Sequence, residues 1–139
     1  MPAISLAAAR AALDASSCAP PPPDGQQRPH ILGHLGMGGG PQRHMLGVIR
    51  IPAGSTTGFF ERHDGGDELL LILAGRLVFT VHAPDGTTET VPLAAGDLLL
   101  IPRGHAHGAE IHEDVEILFL TPEHGNTAWS DDPAHPPRH

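Results

Sequence analysis

The chain has 139 residues, enough for one domain with a real core, and 40% of them are hydrophobic. Aromatic residues make up only 4% and tyrosine is absent, so that core has to be built from Leu, Val, Ile and Ala. A formal net charge of −8, from 8 basic against 16 acidic residues, leaves no basic stripe and argues against nucleic acid or an anionic membrane as partner.

Along the chain, residues 4 to 14 read as one short helix with Ser5 as N-cap. Arg10 and Asp14 interrupt this Ala-rich opening where a signal peptide needs an unbroken apolar stretch. The single cysteine, Cys18, fits a reducing compartment, and no segment has the apolar length of a membrane span, so a cytoplasmic location is expected. "APPPPDGQQRP" (19 to 29) is neither helix nor central strand and reads as an extended arm. "GHLGMGGGPQ" (33 to 42) is a glycine-rich loop without the spacing of a phosphate loop.

From residue 44 the pattern changes to short apolar runs at intervals of 8 to 12 residues with no helical period. "HMLGVIRIP" comes first, then "DELLLIL" and "RLVFTVH", whose separation by Ala74-Gly75 predicts a hairpin. The turn "PDG" (84 to 86), "TTETVPL", "LLLIP", "HAHGAEI" and "VEILFLTP" complete about eight strands, an all-β sandwich or barrel. The expected organisation is an N-terminal helix and Pro/Gly-rich arm over 1–43, a barrel over 44–122 and a polar tail over 123–139. "LLLIL" (69 to 73) and "LLLI" (98 to 101) are apolar on both faces, which predicts that a second sheet or second subunit covers them; a homodimer is expected.

Eleven histidines are many for this length. His124, His135 and His139 fall in the tail, and His30 and His34 in the approach to the patterned region. Of those remaining, His63 lies two residues after Glu61, so both point to one side of a strand. Glu68 follows the turn "DGGD" and heads a strand that can lie antiparallel to the one carrying His63, bringing the two side chains together. By the same alternation His105 and His107, after Pro102-Arg103-Gly104, share a face. His44, on an early strand, is a weaker candidate for the barrel interior, while His82 and His112 border turns and are expected in solvent. Phe59, Phe60, Phe79 and Phe119 read as core, and an inward-facing member of Arg50, Arg62, Arg76 and Arg103 would hold a substrate carboxylate.

These two stretches resemble the paired motifs of the cupin superfamily. The first, G-x5-H-x-H-x(3,4)-E-x6-G, is similar at His63, Glu68 and Gly75, with Glu61 at the first histidine and Gly54 one residue out of register. The second, G-x5-P-x-G-x2-H-x3-N, is matched by Gly96, Pro102, Gly104 and His107, with Ile111 in place of the asparagine. The short spacer, residues 76 to 95, resembles that of small single-domain bacterial-type cupins.

The resemblance implies a double-stranded β-helix (jelly-roll) barrel with a divalent metal at its mouth. His63, Glu68 and His107 would form a two-histidine, one-carboxylate set suited to Fe²⁺, with Zn²⁺, Mn²⁺ and Ni²⁺ as alternatives. Glu61 would be a fourth ligand or a general base, and His105 a second proton-moving group. Two enzyme readings follow, both on a small organic, aromatic or carbonyl-containing substrate. One is an Fe²⁺ dioxygenase; the other is a Lewis-acid isomerase, polyketide-type cyclase or lyase. The alternative is a non-catalytic cupin that binds a small molecule as sensor or carrier.

Overall fold

The computed structural model describes residues 3–17, 29–36, 42–54 and 59–130. Cys18, the arm over 18–28, residues 37–41 of the glycine-rich loop, residues 55–58 and the tail beyond 130 lie outside the described residues.

Alternation of buried and half-buried positions carries the strands. In β5 (Arg76–His82) Leu77, Phe79 and Val81 face inward, and in β4 (Glu68–Ala74) Glu68, Leu70 and Ile72 do. The remaining strands are β1 (His30–Gly36), β2 (Arg43–Ile51), β3 (Phe59–His63), β6 (Thr88–Ala94), β7 (Leu98–Ile101), β8 (Ala106–Ile111), β9 (Val115–Pro122) and β10 (Asn126–Ser130). They form two five-stranded sheets, ordered β1-β2-β9-β4-β7 and β10-β3-β8-β5-β6, and every pairing is antiparallel. The inner faces meet in one core that includes Ile72, Leu77, Ile101, Ile111, Val115 and Ile117. This is the expected jelly-roll barrel.

Two connections differ from the sequence reading. The Ala74-Gly75 break is no hairpin, because β4 and β5 belong to different sheets. Gly75 adopts φ 84°, and the Asp114 carbonyl presses on the space that a Cβ would fill, so the chain turns a corner from one sheet to the other. For the same reason β3 and β4 are not partners: the strands bearing His63 and Glu68 lie in opposite sheets. The "PDG" turn does close the β5–β6 hairpin, with Asp85 Oδ1 accepting from Thr87 N at 2.9 Å.

The sheets also take in more chain than 44–122. β1 lies within 1–43 and β10 within 123–139, each at the edge of its sheet. Neither has a legible strand pattern. β1 is interrupted by glycines and shifts register at Leu32, and "NTAWS" is short and polar.

The helix α1 (Leu6–Ser17) begins as expected, with Ser5 Oγ accepting from Ala8 N at 3.1 Å. Its Ala9 and Leu13 bury against Val48, with Leu32, Leu73 and Leu118 alongside, on the outer face of the first sheet. Arg10 reaches Glu116 at 2.6 Å, and Arg50 meets the same carboxylate from β2. Part of the two-faced apolar surface is therefore covered by the chain's own helix. Leu98 and Leu100 on edge strand β7 stay 62% and 61% exposed.

Gly75→Ala and Gly86→Ala separate strain from collision. Both positions have positive φ, costing an alanine roughly 1–2 kcal/mol, but only at Gly75 does the new Cβ meet backbone. Urea denaturation should show Gly75→Ala as clearly the more destabilised.

Candidate metal centre

β3 and β8 pair so that Glu61 stands opposite His107, and β10 pairs with β3 so that Asn126 stands opposite His63. These four residues come from one sheet. From the other, β4 delivers Glu68 and β9 delivers Thr121. The meeting of His63 and Glu68 is thus an encounter across the barrel, where sequence spacing had suggested a hairpin.

Glu68 is the centre of the cluster. Its Oε2 lies 3.1 Å from His63 Nε2 and its Oε1 lies 3.2 Å from His107 Nε2. All three side chains are buried. Thr121 Oγ1 donates to Oε2 at 2.6 Å, as suits an ionised carboxylate. Glu61 is 46% exposed at the mouth, its Oε2 lying 3.8 and 3.9 Å from the same two Nε2 atoms.

The outer partners decide which nitrogen each imidazole presents. Asn126 Nδ2 donates to the Pro122 carbonyl at 2.8 Å, which turns Oδ1 toward His63 Nδ1, also at 2.8 Å. His63 Nδ1 therefore carries the hydrogen. His107 Nδ1 faces the His105 carbonyl at 3.2 Å and is a donor for the same reason. Both rings aim Nε2 at the buried carboxylate, and His63 Nε2 has no aligned hydrogen-bond partner. Two imidazole lone pairs directed at an anion repel unless something positive sits between them, a proton or a cation. His63, Glu61 and His107 offer ligand atoms within 4.8 Å of one another, and Glu68 lies closer still to both imidazoles. The donor set fits a divalent cation.

Without a cation, a proton takes that place. Burial alone would lower the pKa of His63, but the Glu68 carboxylate, helped by Asn126 and Glu61, raises it to about 9. Burial alone would raise Glu68, but His107 and His63 hold it down at about 2.

Other candidates go elsewhere. His105 lies ahead of β8, which begins only at Ala106, in the turn after Pro102, with His105 N donating to the Pro102 carbonyl. Its ring is absent from the cavity wall, and it is the His105 carbonyl that serves the site. His44 is buried but also off the wall; its Nε2 meets the Asp67 carbonyl at 2.9 Å, while Asp67 Oδ1 accepts from Arg103 N at 2.8 Å. His44 thereby fixes the turn that delivers Glu68. The inward arginine is not found among the described residues. Arg50 pairs with Glu116, Arg62 with Asp64 and Arg76 with Glu113, and Arg103 is exposed. His82 packs outside the barrel on Phe60, which itself stacks on Trp129, so Phe60 is not core.

Thr121 and Asn126 were not identified from sequence. Thr121 had a signal, as the one hydroxyl in the inward series Ile117, Phe119, Thr121. Asn126 had none, because only strand pairing brings it to His63.

The His63–Glu68–His107 cluster and Glu61 line a cavity of about 450 Å³ whose walls are otherwise mostly apolar. This double-stranded barrel with polar residues gathered at one end belongs to a recognised class: the cupin domain family model matches residues 47–121, and the chain is a member of that family. Among curated proteins it is 33% identical over 95 residues to a bifunctional lysine-specific demethylase and histidyl-hydroxylase of Brugia malayi, covering 52% of this chain and 13% of that protein. It is also 33% identical over 67 residues to the acireductone dioxygenase of Bacillus subtilis, covering 45% of this chain and 38% of the enzyme. The chain thus spans well under half the length of either relative. A cupin-2 domain containing protein of Shewanella frigidimarina superposes with a TM-score of 0.50 at 17% identity, over 69% of this chain and 80% of that one. No helix among the described residues is long and apolar enough to cross a membrane.

The proton between His63 and Glu68 predicts a pH signature for metal-free protein held in excess chelator. A histidine whose pKa rises on folding stabilises fully below its unfolded value of 6.5 and loses that contribution as pH climbs toward about 9. A glutamate lowered on folding stabilises fully above 4.5 and loses its contribution as pH falls toward about 2. Thermal melts should show this pair contributing most between pH 4.5 and 6.5, and Glu68→Gln should flatten the decline on the alkaline side.

Proposed function

We propose that this cupin is a metal-dependent enzyme acting on a small organic molecule held in the barrel cavity. The observation that carries the reading is the pair of imidazoles locked with Nε2 toward one buried carboxylate. His63, His107 and Glu68 would hold the cation, with Glu61 as a fourth, exposed carboxylate. Two histidines with a carboxylate suit Fe²⁺ first, and Zn²⁺, Mn²⁺ or Ni²⁺ next. Such an ion supplies Lewis acidity and, if iron, a site for O₂.

The chain's own residues do the rest. Asn126 and the His105 carbonyl hold both imidazoles in the ligating tautomer. Thr121 orients Glu68 by donating to its Oε2. Glu61 has the exposure to exchange protons with solvent and stands beside both Nε2 atoms, which suits a general base at the mouth. The likeness to acireductone dioxygenase favours the dioxygenase branch over an isomerase, cyclase or lyase. The competing reading is a non-catalytic binder using the same pocket.

Protein purified without added metal should carry close to one equivalent of a divalent metal by elemental analysis, and His63→Ala and His107→Ala should each lose it. Folded wild-type protein with no metal, and no uptake on titration, would move the assignment to the binder. Asn126→Ala should weaken metal affinity about 10–100-fold while leaving the fold intact.

We further propose that a second copy of the chain covers Leu98 and Leu100, continuous on the outer face with Leu69 and Leu71. Sedimentation at micromolar concentration should show a dimer that Leu100→Glu dissociates; a wild-type monomer ends the idea.

A further inference from the structure

The cavity is chemically lopsided. Its polar groups, Glu61, His63, Glu68, His107, Thr121 and Asn126, gather at the metal end. Beyond them the wall is made of side chains such as Ile49, Ile51, Phe59, Leu77, Phe79 and Ile117. Phe79 borders the site directly, its ring centroid 6.0 Å from that of His107. All eight basic residues of the chain are arginines, and none of the described ones lines this wall.

Charge at the metal end is nearly balanced once a cation is present. Two carboxylates, Glu61 and Glu68, offset a divalent ion, so the site has no net charge with which to draw in a doubly charged anion, and a ligand head is held by its oxygens ligating the metal. A second charged group on the ligand would lie against hydrocarbon with no charged partner among the described lining residues, and an ion desolvated without a partner is disfavoured. Apolar ligand surface, in contrast, gains free energy from the same wall.

We propose that the substrate has a single oxygen-rich, metal-chelating head and an uncharged, predominantly apolar body, and that double-ended acids are rejected. This rests on the metalloenzyme reading for the head, whereas the preference for the body rests on the chamber wall alone. Ala109, which lines the chamber opposite Phe79 in the β5–β8 ladder, is placed to set the room available to the body.

Three hydroxamates separate the two parts: acetohydroxamate, hexanohydroxamate and the monohydroxamate of adipic acid. Each is titrated by calorimetry into the full chain, metal-free and loaded with cobalt(II), whose visible spectrum reports the head. Affinity should rise by up to about fourfold per methylene from the two-carbon to the six-carbon probe, the ratio equivalent to ~0.8 kcal/mol. The acid-ended probe should bind at least tenfold more weakly than hexanohydroxamate. Ala109→Phe should remove the advantage of the longer tail while leaving the cobalt spectrum with acetohydroxamate unchanged. An acid-ended probe that matches or beats hexanohydroxamate overturns the proposal, as does wild-type affinity indifferent to tail length. If cobalt is not taken up, or His63→Ala binds hydroxamates as well as wild type, the metal reading fails. The tail dependence in metal-free protein then still decides the chamber preference.

Discussion

A carboxylate held in the interior between two imidazoles governs this molecule. Glu68 remains ionised there against the cost of burial because His107 and His63 face it with positive charge, a proton or a cation, between them, while Thr121 donates to its Oε2. The three groups come from both sheets, so the cluster also spans the barrel. Around it the backbone is tied from several directions. Gly104 N donates to the His63 carbonyl, Asp64 N to the Gly125 carbonyl and Arg103 N to Asp67 Oδ1. A barrel assembled from short, aromatic-poor strands has its most expensive polar group where these loops converge.

The outer face solves a different problem with similar chemistry. Strands β4 and β9 are apolar on both sides, and an uncovered aliphatic sheet invites association. The helix α1 shields part of it with Ala9 and Leu13, and Glu116, held by Arg10 and Arg50, anchors the helix to the sheet. Residues near the start of the chain are thereby integrated with strands that follow much later. Leu98 and Leu100 lie on the edge strand at the opposite side of the sheet from β1.

Much of the site was legible because its residues obey local rules. His63 and Glu61 share a face through strand alternation, and Glu68 and His107 occupy motif positions on strands whose inward series is visible in the apolar pattern. His105 does not line the cavity beside His107, because it still belongs to the turn after Pro102 and the strand on which alternation applies begins at Ala106. The arginines gave no local clue: alternation says which side a residue takes, not which sheet face has a carboxylate waiting outside, as Glu116 waits for Arg50. His44 read as a weak pocket candidate, but its role is indirect, through a carbonyl one residue before Glu68.

Sequence alone therefore determined the strand-rich architecture, the N-cap of α1 and the "PDG" hairpin, each of which follows from neighbours a few residues apart, while the resemblance to the cupin motifs singled out His63, Glu68 and His107. Tertiary structure decided how they combine. Gly75 sends the chain across to the second sheet where a hairpin was expected, β10 brings Asn126 to His63, and β9 brings Thr121 to Glu68. The last two depend on contacts between residues more than fifty positions apart, and side-chain periodicity contains no information about which distant strand will be the neighbour.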